Sequence, residues 1–524
     1  MGNAINNNPV LTLPKRSNTR LTFTALAWFV VLTSIFALAY NQAPLYTSNQ
    51  NQYFLHGYAQ AGIGNLSKDW LANTADPTPV FSFLVAVTLR LFTSEALFFV
   101  YYALLMGVYF FSLFGIVDHV FPLRSSRLKS GLFIAALVLI HSAVLRFLLQ
   151  RLFGGDWPYL LEGGVAGQRL LGPIFQPSSF GVFLVLSIYL YLMDKKGLAI
   201  LGAALAATFH PTYLLSAGAL TLAYMIDTWR GQKKIWPALR LGLLGLAVVA
   251  PILIYTYINF WGGNPEIDAA ARSLLVNVRI PPHAVVSDWF NATVIIKLVF
   301  IGVGLFLVRR SRLFWVLFIP LCLAVGLTIV QVFTMNNALA LIFPWRLSTW
   351  LVPVAVGLIA GELVILLGSR TPATLGRALK TTGLVLIALA VAAGEVRSYL
   401  VNNQWSALAY RPIEAYVRSH RQPGQVVLTP SGIYDFRLET GVPVYVDFLS
   451  IPYKSAEVVE WDRRFRQESL LYQRMACDRI TEISREGVTQ VVLPVDFPVI
   501  CPQLVEIYRD SAFGLYSVSP LTNN

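Results

Sequence analysis

Charge is scarce in this chain of 524 residues: only 13% are Asp, Glu, Lys or Arg, against 56% hydrophobic, and the mean hydropathy is +0.60. That balance excludes an ordinary soluble class. Acid is scarcest at the start, where Asp69 is the first Asp or Glu. Cysteine occurs three times, at 322, 477 and 501. So few thiols exclude a disulfide-dense scaffold, and no CxxC pair is present. The chain also lacks a nucleotide-binding glycine loop, heptads, a fixed-period repeat and any low-complexity tract.

What it has is long apolar runs. The first, Leu21 to Tyr40, follows Lys15, Arg16 and Arg20. It contains an Ala-Leu-Ala at 37–39 that resembles a signal-peptidase site, but it is longer than a signal h-region of about 7 to 15 residues and reads as an uncleaved first span. Further crossings are expected at 96–117, 131–149, 180–193, 241–258, 294–308, 313–332, 347–367 and 382–401. The run 198–226 is broken by His210-Pro211 and has basic flanks at both ends, so it reads as a hairpin with its tip at a cavity. The apolar run 79–93 is short and reads as a re-entrant or interfacial helix. The expected fold is therefore an α-helical polytopic membrane protein with eleven crossings, ten to thirteen by the choice of span ends.

The net charge of +13 does not point to nucleic acid. Residues 1–399 hold 28 of the 40 Lys and Arg and 13 of the 27 Asp and Glu, while the remainder is slightly acidic. The excess therefore belongs to the membrane part. Segments 1–20, 118–130, 194–197, 227–240, 309–312 and 368–380 carry 18 Lys and Arg. The intervening loops 41–95, 150–179, 259–293 and 333–346 carry 7. By the positive-inside rule the first set is cytoplasmic, the N-terminal 1–20 included, and the second external.

After residue 401 the hydropathy falls, and 402–524 reads as a small external α/β domain. Its expected strands are 425–429, 444–448, 489–495, 504–508 and 513–518, with helices over 456–475 and 478–486. Cys477 and Cys501 both fall there, where an oxidising compartment lets them pair. Cys322 lies within a span and reads as a small apolar residue.

The candidate chemistry gathers on the external side. The first loop offers Asn51, Gln52, His56, Asp69 and Asp76. The second, GGDWPYLLEGGVAGQR, offers Asp156, Glu162 and Arg169. VRIPPHAVVSDWF contributes Arg279, His283 and Asp288, FPWR contributes Arg346, and the hairpin tip contributes His210. A carboxylate can take a proton from an acceptor hydroxyl, and arginines can hold a phosphate and stabilise a leaving group. Each residue also has an ordinary explanation. Loop Asp and Arg are commonly solvated or paired, Asp69-Trp70 and Asp156-Trp157 suit interfacial anchoring, and His210-Pro211 suits a simple helix break. No metal-ligand spacing is legible, so a requirement for a divalent metal is left open.

With its acidic first loop, the half-helix opening DPTPVFSFL, an acid after the third crossing and an external α/β tail, the chain resembles the GT-C superfamily of membrane glycosyltransferases. RIPPHAVVSDWF, IFPWRLSTWLVP, TPSGIYDFRLETGVPVYVDF and VVEWDRRF are similar to a bacterial multi-pass group of that type with no established reaction. The resemblance implies a bacterial plasma-membrane enzyme taking a sugar from a polyprenyl-phosphate donor to a glycan, lipid or protein acceptor. It places an acid soon after span one, yet here SNQNQY puts amides there, including Asn51. Either the base is Asp69, Asp76 or Asp156, or the scaffold binds lipid-linked glycan without catalysis. Arg279, His283 and Arg346 are the expected lipid-phosphate ligands, and Asn51, His56 and His210 the expected cavity lining. A transporter or flippase is a third reading, which a broken helix permits.

Overall fold

The computed structural model describes residues 23–369, 372–474 and 477–519. Among the described residues, five helical stretches are long and apolar enough to cross a membrane: Ala96–Val120, Ile235–Phe260, Leu313–Thr334, Asn337–Ser369 and Thr374–Ser406. A bent pair, Arg127–Ile140 and Ala143–Phe153, makes a sixth if it is one span. The remaining apolar helices are shorter. The protein is a helical multi-pass membrane protein carrying a small C-terminal α/β unit. Lys15, Arg16 and Arg20, on which the orientation of the N-terminus was argued, lie outside the described residues.

In chain order the helices are α1 (Phe23–Tyr40), α2 (Gln50–Ala61), α3 (Pro79–Phe92), α4 (Ala96–Val120), α5 (Arg127–Ile140), α6 (Ala143–Phe153), α7 (Val182–Leu192), α8 (Lys196–Phe209), α9 (Leu214–Gln232), α10 (Ile235–Phe260) and α11 (Pro265–Leu274). Two single turns follow, α12 (Pro281–Ala284) and α13 (Val286–Trp289). Then come α14 (Ala292–Leu307), α15 (Leu313–Thr334), α16 (Asn337–Leu341), α17 (Ser348–Ser369) and α18 (Ala373–Ser406).

Several breaks have a local cause. The expected span 131–149 is two helices meeting at 53°. Ser142 caps the second, its hydroxyl accepting from the Leu145 amide at 3.2 Å, so the chain restarts in a new direction. At His210 the backbone is extended, as the following Pro211 requires, and α8 ends at Phe209. The Lys196 ammonium at the start of α8 reaches the Thr228 hydroxyl near the end of α9 at 3.2 Å. The two helices therefore fold back as a hairpin. In the loop 259–293, where sequence showed no element, Asn264 accepts from the Glu266 amide and Pro265 opens α11.

The far end of that hairpin collects segments read from sequence as one basic face. Arg312 pairs with Asp194 at 2.7 Å and Asp227 at 3.0 Å, and the Tyr191 hydroxyl donates to Asp227 at 2.6 Å. The hairpin tip lies at the other end, together with the loops that were read as external.

The C-terminal unit comprises α19 (Arg411–Ser419), β1 (Val427–Leu428), α20 (Phe436–Thr440), α21 (Ser455–Gln473), α22 (Cys477–Arg485), β2 (Gln490–Pro494), β3 (Leu504–Arg509) and β4 (Phe513–Val518). The sheet order is β1-β2-β4-β3, with β1 parallel to β2 and the other pairs antiparallel. Its faces pack into two cores. Val491 and Leu493 join Trp461 and Tyr445 on one side, and Val492 joins Phe436 and Ile413 on the other, the alternation a strand imposes. Cys477 and Cys501 are bonded to each other.

Two expectations are corrected. Segment 444–448 is not a strand: only Val444 bridges to β1, and its amide donates instead to a carboxylate of the first loop, Asp69. The boundary at 401 falls inside α18, which runs on to Ser406 and delivers the chain directly into the C-terminal unit.

Candidate functional site

A cavity of about 410 Å³ lies where the loops of the membrane part meet the C-terminal unit. The first loop contributes Asn49, Gln52, Tyr53, Pro77 and Thr78, the second Gly167 to Arg169 together with Gln176 and Ser178. The hairpin tip contributes His210 to Thr212, α10 contributes Thr256 and Phe260, and the segments around α12 and before α17 contribute Arg279, His283, Phe343 and Arg346. Ile451 and Tyr453 of the C-terminal unit complete it. Helix α2 is held in place by α3, against which Gly57 packs so closely that a Cβ there would sit 2.6 Å from the Val85 side chain.

The lining is cationic. It includes Arg169, Arg279 and Arg346 and no Asp or Glu. Among the described residues none of these three arginines has an ion-pair partner. Arg279 donates to the Leu449 carbonyl at 2.6 Å and lies over the Phe448 ring at 5.4 Å. Arg169 lies over Tyr159 at 4.2 Å, and Arg346 over Tyr213 at 5.3 Å. Aromatic faces thus steady the guanidiniums without neutralising them.

The histidines are set by their neighbours. The ring nitrogen Nε2 of His210 lies 3.3 Å from a guanidinium nitrogen of Arg346. Because guanidinium only donates, Nε2 accepts and the proton sits on Nδ1, which is buried and has no partner. His283 donates from Nδ1 to the Ala166 carbonyl at 2.7 Å, leaving Nε2 as an acceptor. Burial, with Arg346, Arg169 and Arg279 nearby, holds its pKa below the ordinary histidine value. Gly167, at φ +64°, lets the His283 ring approach to where a Cβ would lie 3.0 Å away.

Unpartnered polar atoms cluster here. Thr78 Oγ1, His210 Nδ1, Thr212 Oγ1, Arg279 Nε and Arg346 Nε are all buried without a hydrogen bond. These polar atoms are available to bond a polar ligand in the cavity. Phe343, at φ +53°, is a bulky residue in left-handed backbone on the same wall, a strain that the fold retains where Pro344 turns the chain to present Arg346.

The sequence candidates divide sharply. Arg279, His283, Arg346 and His210 are brought together. Asn51 is not in the lining, and its amide nitrogen donates to the Tyr46 and Ser48 carbonyls. His56 is buried but does not line the cavity either. Asp69 is fully buried and satisfied elsewhere, by the Leu71 and Val444 amides and by Arg437. Asp156 is exposed and accepts from Asn291 at 3.3 Å. Asp76 lies immediately before the lining residues Pro77 and Thr78. Its Oδ1 accepts from the Thr78 amide at 2.8 Å, and its Oδ2 is buried without a partner. Glu162 pairs with Arg146 at 3.0 Å away from the lining, and burial pushes its carboxyl up to about 7. Among the described residues no group of three His, Cys, Asp or Glu is arranged to hold a metal ion.

Sequence reasoning missed Tyr53, Thr78 and Tyr453, while Gln52, a first-loop candidate, is in the lining. Gln52 donates to the Tyr453 hydroxyl at 2.7 Å, across 401 positions of chain. No local pattern could have announced that contact.

A domain of unknown function (DUF6798) matches residues 409–467. That stretch includes Arg437, which binds the first loop, and the cavity residues Ile451 and Tyr453. No curated protein matches the sequence.

Proposed function

We propose that this protein binds the phosphate or diphosphate of a polyprenyl-linked sugar in the cationic cavity and transfers the sugar to an acceptor at the external face of a bacterial plasma membrane. The observation that carries this reading is the convergence of Arg169, Arg279 and Arg346 on one cavity that no carboxylate lines. Three unpaired guanidiniums suit an anion with several oxygens, and a charged phosphate strengthens each bond it accepts. In this reading the chain crosses the membrane eleven times with its N-terminus in the cytoplasm and its C-terminal unit outside, as the distribution of Lys and Arg argues.

In the transfer, the acceptor oxygen forms a bond to the sugar's anomeric carbon from the face opposite the phosphate, inverting it. The bond from that carbon to the phosphate oxygen breaks, and its electron pair leaves on the lipid phosphate, where the arginines stabilise it. The acceptor proton goes to a carboxylate. Of the three Asp expected in that role, Asp76 is the one beside the cavity, with an oxygen free to accept.

A second reading is binding without transfer, and the lack of any Asp or Glu in the lining favours it. Both readings share the phosphate site. It is tested by titrating purified full-length protein with a short-chain prenyl phosphate. Arg279→Gln and Arg346→Gln are each expected to weaken binding by about tenfold or more, the size of a lost charge-assisted hydrogen bond. Unchanged affinity in both variants removes the site.

A further inference from the structure

A second cavity, of about 510 Å³, lies on the face of α2 away from the cationic one: Gln52 and Tyr53 face the first, Tyr58 the second. Its base is built where three apolar helices end or begin. Leu45 and Tyr46 follow α1, Glu95 and Phe99 sit at the start of α4, and Trp405 sits in the last turn of α18. Its roof is the C-terminal unit, through Arg418, Arg421 and the turn after α20. In the topology proposed above, these helix ends lie toward the external face of the membrane, where lipid headgroups are.

The charges within it are not all consumed by the protein. Glu439 is paired with Arg411 at 3.5 Å and with Arg418. Glu95 and Arg421 have no ion-pair partner among the described residues. Glu95 accepts the hydroxyls of Tyr46, at 2.6 Å, and Tyr58, at 2.9 Å, both on Oε1, so Oε2 remains open. Arg421 donates one hydrogen bond, to the Thr440 carbonyl at 3.1 Å. The cavity thus offers one carboxylate and one guanidinium; Phe99 and Trp405 also line it, the Trp405 ring being covered by the Arg411 guanidinium at 4.7 Å.

A simple anion meets repulsion from Glu95, and a simple cation meets it from Arg421. A zwitterion satisfies both. The open oxygen of Glu95 suits an ammonium that can donate to it, and a phosphate matches the guanidinium. We infer that this cavity is a headgroup site for a phospholipid bearing a primary ammonium and a phosphate, as in an ethanolamine phospholipid. A primary ammonium can donate to Glu95 Oε2, which a quaternary choline cannot do. This site is independent of the phosphate cavity and of the transfer reaction proposed for it.

The experiment is native mass spectrometry of the full-length protein in detergent, with added ethanolamine, choline and glycerol phospholipids of identical chains and, separately, soluble phosphoethanolamine. The ethanolamine lipid is expected to bind about tenfold tighter than either other lipid. Glu95→Gln still accepts from both tyrosines, and it should abolish the preference over the choline lipid. Arg421→Gln should weaken ethanolamine-lipid binding by a similar factor. Equal retention of the three lipids by the wild-type protein overturns the inference, as does an unchanged preference in Glu95→Gln. Soluble phosphoethanolamine binding as tightly as the lipid overturns the assignment to a membrane lipid.

Discussion

Arg437 donates from Nε to Oδ2 of Asp69 at 2.7 Å, joining the C-terminal unit to the first loop across 368 positions of chain. The same guanidinium also reaches the Asp447 carboxylate and the Val444 carbonyl, so every edge of it is engaged. Both members of the pair are buried. Removing the Asp69 charge leaves Arg437 balanced by Asp447 but weakens the charge-assisted hydrogen bonds that Asp69 accepts from Arg437 and the Val444 amide, a loss of about 1.5 to 3 kcal/mol. Asp69→Asn is therefore expected to lower the thermal unfolding temperature and to release the C-terminal unit to limited proteolysis. A variant that is as stable and as protease-resistant as the parent would falsify the anchoring role.

The disulfide yields a second prediction. It closes a segment of 24 positions that holds α22 and β2 between its cysteines. Restricting an unfolded loop of that length stabilises the fold by on the order of 3 kcal/mol. Cys501→Ser should lower the unfolding temperature of the C-terminal unit without weakening prenyl-phosphate binding, because neither cysteine lines the cationic cavity. Mass mapping of the unreduced protein should recover the 477 and 501 peptides as one linked species.

A third prediction concerns pH. Burial pushes the Glu468 carboxyl up to about 7, although it accepts from the Ser431 amide at 2.9 Å. In the unfolded chain the same group titrates near the ordinary value of about 4.3. Between those values the folded state holds a proton that the unfolded state has released. Glu468 therefore supports the fold fully in acid, and its contribution is lost as pH rises from about 4.5 through about 7, on the order of 3 kcal/mol in all. Glu468→Gln cannot ionise and should flatten that part of the stability profile, measured by thermal unfolding from pH 4 to 8. A parallel profile for parent and variant contradicts the assignment.

The fold was legible wherever one stretch of sequence was sufficient to specify it. The hairpin could be read from His210-Pro211 because a proline breaks the helical hydrogen-bond pattern locally. Strands β3 and β4 could be read as short apolar runs between turn residues. The bend at Ser142 was missed because apolar runs continue on both sides of His141-Ser142 and the Ser142 cap is a single local feature. In the cavity, Arg279, His283, Arg346 and His210 were legible as rare polar residues beside prolines at the ends of apolar runs. Asp69 was misread for the opposite reason: its partners Arg437 and Val444 lie in another domain, and a carboxylate in a loop looks the same whether it faces substrate or a buried arginine. Tyr453 likewise acquires meaning only through Gln52.

The last prediction separates transfer from binding, and it turns on Asp76. One of its oxygens is fixed by the Thr78 amide, and its carbonyl accepts from the Tyr255 hydroxyl at 2.8 Å, so the turn into the cavity is held at two points. The other oxygen is the group available to take a proton. Asp76→Asn preserves an acceptor for the Thr78 amide and removes the basic function. If the protein transfers a sugar, this variant should bind prenyl phosphate within about twofold of the parent while losing turnover by about 10² to 10⁴, the usual contribution of a general base. Arg279→Gln should show the complementary pattern, with weakened binding at the outset. The measurement pairs prenyl-phosphate titration of each purified protein with the glycolipid and polysaccharide profile of cells carrying it, alongside a deletion strain. If the deletion alters that profile and Asp76→Asn does not, proton transfer by Asp76 has no part in the function. The arginine cavity then serves to hold a lipid-linked glycan rather than to cleave it.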